Sequence, residues 1–182
     1  VVGDEAGTAI TTGDYNVGVG YNAGRDETTG QQNTFIGGFA GADATTGSLN
    51  TGIGYSSLGA NGTDNTGSNN TALGGFALQN NTTGNRNTAS GFESLKLNTT
   101  GLSNVSIGAY SSNNNTTASY NVAVGDASFY TNTTGANSVA VGYEALKANT
   151  TASNNTAVGY RSLLANTTGG DNTALGFTAL DA

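Results

Sequence analysis

In a chain of 182 residues that contains no His and no Cys, acid–base or metal chemistry near neutral pH falls to twelve carboxylates. Seven stand in the first third (Asp4, Glu5, Asp14, Asp26, Glu27, Asp43, Asp64) and five follow (Glu93, Asp126, Glu144, Asp171, Asp181). General acid–base catalysis needs two such groups held at a fixed separation with different proton affinities. No pair recurs in a spacing of that kind, and the Gly-rich Asp nonapeptide of calcium-binding β-rolls is absent. Gly18-Val19-Gly20 is a lone glycine pair that requires no phosphate. The carboxylates therefore read as solvated surface, and the chain reads as no enzyme, with no cofactor and no metal.

Asn and Thr are the other residues with chemistry to offer. Asn81, Asn98, Asn115, Asn132, Asn149 and Asn166 each open an Asn-x-Thr glycosylation acceptor, yet the tract Asn-Thr-Thr-Gly in which most of them lie is also turn chemistry. Thr83, Thr100, Thr117, Thr134, Thr151 and Thr168 recur in register and form a candidate surface ladder, the kind of array of hydroxyls and methyls that orders water in an ice-binding solenoid.

What positions all of these residues is a repeat. A marker glycine falls at Gly3, Gly20, Gly37, Gly54, Gly74, Gly91, Gly108, Gly125, Gly142, Gly159 and Gly176. The interval is 17 residues throughout, except for Gly54 to Gly74, where three residues are inserted near 61–64. A period this short means a solenoid with one coil per repeat. Residues 1–182 thus read as a single repeat domain of eleven coils, mainly β, a parallel β-solenoid or β-roll. At about 4.8 Å per coil it is a rod of roughly 50 Å.

Counted from the glycine, position −1 is Val19, Ile36, Ile53, Leu73, Ile107, Val124, Val141, Val158 and Leu175 in nine of the coils. Position −3 is Thr or Val and position −2 is small, so each coil has one short strand rich in β-branched residues. The −1 column is expected to be core, joined by leucines at +4 such as Leu95, Leu146 and Leu163, with the −3 column facing inward beside it. An aromatic stands at +1 or +2 in most coils. The segment after the glycine fits a helical turn as well as a second strand, because Glu93 with Lys96 and Glu144 with Lys147 are three apart. An Asn at −4 in nearly every coil is placed to bond coil to coil as an amide ladder.

Composition narrows the partners. With twelve acidic against five basic residues and a net charge of −7, no basic patch is available for nucleic acid or an acidic membrane surface. No apolar run approaches a membrane span and no signal peptide opens the chain, so no membrane insertion of this segment is expected. Both ends lack the polar caps of a solenoid, which suits a segment of a longer fibre or a filament subunit stacking end to end.

The phrase Asn137-Ser138-Val139-Ala140-Val141-Gly142, with Asn121-Val122-Ala123-Val124-Gly125 before it, resembles the head repeat of trimeric autotransporter (YadA-like) adhesins. Asn155-Thr156-Ala157-Val158-Gly159-Tyr160, continued through Leu163 to Asn166-Thr167-Thr168-Gly169, resembles repeats of bacterial surface and phage tail-fibre proteins that end in a self-cleaving chaperone domain. The resemblance runs the length of the chain. It implies a left-handed parallel β-roll, three chains side by side, on an extracellular, cell-surface or virion fibre that adheres to a cell-surface or glycan receptor. The expected function is therefore a non-catalytic structural and adhesive one.

Overall fold

A computed structural model of the chain describes residues 1–59 and 61–181. Within them each Thr/Val-small-aliphatic triplet is a strand, and there is no helix. The ten strands are β1 (Val17–Val19), β2 (Thr34–Ile36), β3 (Thr51–Ile53), β4 (Thr71–Leu73), β5 (Thr88–Ser90), β6 (Val105–Ile107), β7 (Val122–Val124), β8 (Val139–Val141), β9 (Thr156–Val158) and β10 (Thr173–Leu175). Each pairs in parallel with the next in sequence, in the order β1 to β10, so the chain is a β-solenoid with one continuous sheet along its side. Register is set by the repeat: Val122 pairs with Val139 and Val124 with Val141, 17 residues on.

The glycine after each strand stops it for two reasons. Its φ lies near +130°, a region that residues with a Cβ avoid, and the next coil lies directly above it. A Cβ built on Gly125 would stand 2.5 Å from the carbonyl oxygen of Gly142.

The interior corrects the expected core. Ile36 is 37 % exposed, Ile107 42 % and Leu175 77 %; Val19, Ile53 and Leu73 are also exposed, and Val124, Val141 and Val158 are half-buried. The −1 column therefore faces outward, and the −3 column, on the same side of a period-two strand, faces outward with it. What points inward is the small residue between them: Ala72, Ala89, Ala123, Ala140 and Ala157 are all fully buried. The reason is the thinness of the rod. Leu58, Leu78, Leu95 and Leu146, from the opposite wall, are also fully buried and Leu163 nearly so, and facing one leucine there is room for only a methyl.

The one large inward strand residue makes the same point. Phe35 of β2 is buried, and the positions that carry Leu in later coils are here Gly24 and Gly41. A Cβ on Gly41 would overlap the Phe35 ring. Opposite Phe35 the +4 residue is thus Gly, and opposite the alanines it is Leu or Phe129.

The segment after the glycine is neither a second strand nor a helical turn. Residues at +2 and +4 have positive φ, 54° and 53° for Glu93 and Leu95, 53° and 52° for Glu144 and Leu146, which no helix tolerates. The coil closes through successive tight turns, such as Lys147 N–H to Glu144 C=O at 3.3 Å. Those turns still bring the charged pairs together, Lys96 to Glu93 at 2.9 Å and Lys147 to Glu144 at 2.5 Å.

Two buried amide ladders tie coil to coil. In the first, the Oδ1 of each −4 Asn accepts the backbone N–H of the next: Asn70 from Asn87 at 2.9 Å, and Asn87 from Asn104 at 3.0 Å. In the second, Asn98 Nδ2 donates to Asn81 Oδ1, Asn115 to Asn98, Asn132 to Asn115 and Asn149 to Asn132, at 2.9–3.1 Å. Each link pairs a polar group that would otherwise be buried alone, a loss of about 1–3 kcal/mol. The insertion leaves the first ladder in step, since Asn70 N–H bonds to Asn50 Oδ1 across it at 2.9 Å. The extra residues loop outward, where Gly62 N–H is capped by the Asp43 carboxylate.

Candidate interaction face

The outward side of the sheet is a regular surface that continues across all ten strands. Its two columns alternate Thr or Val at −3 with Val, Ile or Leu at −1, repeated at the spacing of a parallel sheet. Monomeric proteins rarely expose a contiguous apolar surface of this kind, and a long patch of it marks an interaction site. It carries no charge: the −3 and −1 positions of β1 to β10 are Thr, Val, Ile, Leu and one Ser, Ser90.

Along the edge of this face runs an aromatic ladder. Tyr21, Phe39, Tyr55, Phe76, Phe92 and Tyr110 alternate between +1 and +2 of successive coils. The offset turns each ring against its neighbour edge to face, with centroids 5.2–5.8 Å apart and planes at 74–87°. After a coil without a ring, Tyr143, Tyr160 and Phe177 all occupy +1 and stack nearly parallel, at 5.4 and 5.1 Å. The substitution pattern at +1 and +2 signals the ladder in the sequence; its two packing modes follow from which position the ring takes.

The six candidate surface threonines, Thr83, Thr100, Thr117, Thr134, Thr151 and Thr168, are all exposed. The threonine before each one does different work: Thr82, Thr99, Thr116, Thr133 and Thr150 donate their hydroxyls to the threonine carbonyl of the next coil at 3.0–3.1 Å. Five of the six acceptor asparagines of the sequons, Asn81, Asn98, Asn115, Asn132 and Asn149, are buried in the second amide ladder, and the folded rod closes them to a glycosyl donor. Asn166 is half-buried, its Nδ2 held by Asn149 Oδ1 at 3.1 Å.

The carboxylates stay apart from one another in function. Asp26 and Asp43 share Arg25, at 2.6 and 3.1 Å, and the Arg25 hydrogen bond holds the Asp26 carboxyl below its usual range. The hydrogen bond from Lys147 does the same for Glu144. Among the described residues no three Asp or Glu gather as a metal site would require.

Asp43 is buried beside Arg25, whereas the other buried carboxylate, Glu27, sits among neutral groups. Glu27 takes the column position held by Asn in later coils and is 1 % exposed. Gly30 N–H donates to Oε1 at 2.8 Å and Asn33 Nδ2 to Oε2 at 3.0 Å. Burial outweighs these two bonds and pushes its pKa from 4.5 to about 7. Because the folded value is the higher one, its stabilising effect is complete below about pH 4.5 and is lost as pH rises through 7. The first coils are therefore expected to be more stable at pH 4 than at pH 8 by about 2–3 kcal/mol. Glu27→Gln should remove most of that slope in urea titrations at the two pH values, and an unchanged slope would place the titration elsewhere.

No protein-family model, curated protein or solved structure matches the chain. Functional inference therefore starts from this face.

Proposed function

We propose that the chain is a non-catalytic structural and adhesive segment of an extracellular fibre, in which the outward sheet faces of neighbouring chains cover one another. The observation that carries this reading is the uncharged apolar face of β1 to β10, with Ile36, Ile53, Leu73, Ile107 and Leu175 exposed on it. Each coil buries at most one large apolar side chain inside the rod, so covering this second apolar layer adds on the order of 1 kcal/mol per outward aliphatic residue. The resemblance to adhesin heads and tail fibres adds the trimer, the left-handed coil and the surface or virion location. It also adds the receptor class, a cell-surface protein or a glycan. A net charge of −7 argues against a nucleic-acid partner.

Light scattering on a gel-filtration column, across a range of concentrations, tests the assembly. A stable trimer is the expected result. A monodisperse monomer at every concentration would overturn the reading, and open-ended growth would replace it with a filament subunit.

One observation favours a second reading. The −3 threonines, Thr34, Thr51, Thr71, Thr88, Thr156 and Thr173, share the outward face with aliphatic −1 residues, a regular array of hydroxyls and methyls suited to ordering water. Ice binding by this face predicts thermal hysteresis from a monomer, and its absence would remove the reading.

A further inference from the structure

The aromatic ladder is interrupted once between Tyr21 and Phe177, and the gap has a shape. The coil after β7 has Asp126 at +1 and Ala127 at +2, and the missing ring leaves an open notch of about 330 Å³ lined by Tyr110, Ala127, Tyr130 and Lys147. That volume lies at the small end of ligand-binding pockets.

The chain itself shows what such a position holds elsewhere. Three coils earlier Phe76 stands at +2, and Lys96, at +5 of the following coil, places its ammonium 5.4 Å from the Phe76 ring centroid. Lys147 stands in the same relation to Ala127, at +5 of the coil after it, and is held by Glu144 as Lys96 is held by Glu93. The cation is in place and the ring beneath it is absent. The space that a ring fills three coils earlier is open here.

We propose that this notch binds one neutral hexopyranose ring of a glycan. A pyranose has C–H faces that pack on tyrosine rings and a rim of hydroxyls. The notch offers the rings of Tyr110 and Tyr130 for the faces, and their phenol hydroxyls and the Lys147 ammonium for the hydroxyls. A phenyl ring would repeat Phe76 but leave those polar groups unused. The acidic chain, with Lys147 already paired to Glu144, disfavours an anionic sugar. The proposal deepens the adhesive reading by naming its ligand class, and it stands or falls on its own measurement.

The test is a heteronuclear NMR titration of the native chain with the methyl glycosides of glucose, galactose and mannose, and with N-acetyl-tyrosinamide as the aromatic probe. Saturable shifts confined to residues around Ala127, Tyr130 and Lys147 are expected for at least one glycoside, with Kd on the order of a millimolar. Ala127→Phe should abolish them while leaving the fold intact, because Phe39 and Phe76 already occupy +2 at positive φ. Tyr130→Ala, a milder change, should weaken binding about tenfold. The proposal is overturned if no glycoside gives saturable shifts there, if Ala127→Phe binds as well as the native chain, or if only the tyrosine amide binds. Particle mass measured on the same samples separates the two readings. A trimer without sugar shifts removes the notch alone, and a monomer with them removes the fibre alone.

Discussion

Ala140→Asp is expected to leave the chain unable to form its rod, while Val141→Asp, one residue on, leaves the coils folded and disperses the assembly. Ala140 is fully buried in an apolar cluster with Leu146 and Leu163, which offers no charge to pair with a carboxylate. An unpaired charge there costs at least about 4 kcal/mol, and the side chain also overfills the space of a methyl. Val141 is half-buried on the outward face, so in the separated chain the same change costs about 1 kcal/mol. In the assembly it would place three charges in an apolar contact. Far-UV circular dichroism and particle mass together read both effects. Loss of the sheet signal in the first variant, and a native signal at monomer mass in the second, is the expected pair.

Gly125→Ala should damage the rod severely for a change of one methyl. The residue has φ of +133°, and the added Cβ would lie 2.5 Å from the Gly142 oxygen and 2.6 Å from its carbonyl carbon. Backbone strain alone costs about 1–3 kcal/mol, and relieving the overlap means separating β7 from β8. Because each coil contacts only its neighbours, the damage is local. Hydrogen exchange is expected to lose protection at Val122 and Gly142, whose N–H groups bond across that interface to the carbonyls of Ser138 and Val124, while β1 to β4 keep theirs. Protection lost evenly along the rod would contradict a one-dimensional stack.

Much of this architecture was legible in the residues. The spacing of the glycines placed every strand, the β-branched residues beside them gave the strand type, and the Asn column at −4 gave the amide ladder. Inside and outside were not legible, and the cause is physical. In a globular domain the larger apolar residues of a strand mark the core, and that rule assigned Val141 and Ile107 inward. In a rod one leucine wide, size decides instead: the facing wall stands too close for anything beyond Ala, Ser or Gly, unless glycine makes room as Gly24 and Gly41 do for Phe35. The signal that could have found this is the −2 column itself, which in β1 to β10 holds only Gly, Ala or Ser except at Phe35, where the +4 residue is Gly41.

The helical reading of the segment after the glycine failed for a similar reason. Three-residue spacing of Glu144 and Lys147 is shared by helices and by tight turns. The positive φ of Leu146, a residue with no sequence signature for that conformation, decided between them. The outward face itself was present in the sequence all along as the supposed core, and its reassignment turns a packing column into a surface.

The most direct test of that reassignment is thiol labelling in the native state, made clean by the absence of any native cysteine. Ser106, fully buried in the same column, shows that an inward position accepts a side chain of cysteine size. Ala140→Cys should resist a maleimide until the chain unfolds. Val141→Cys should react readily in any sample whose particle mass is that of a single folded chain, and be protected where the faces cover one another. A folded single chain whose Ala140→Cys thiol reacts at once while its Val141→Cys thiol stays protected would contradict the account.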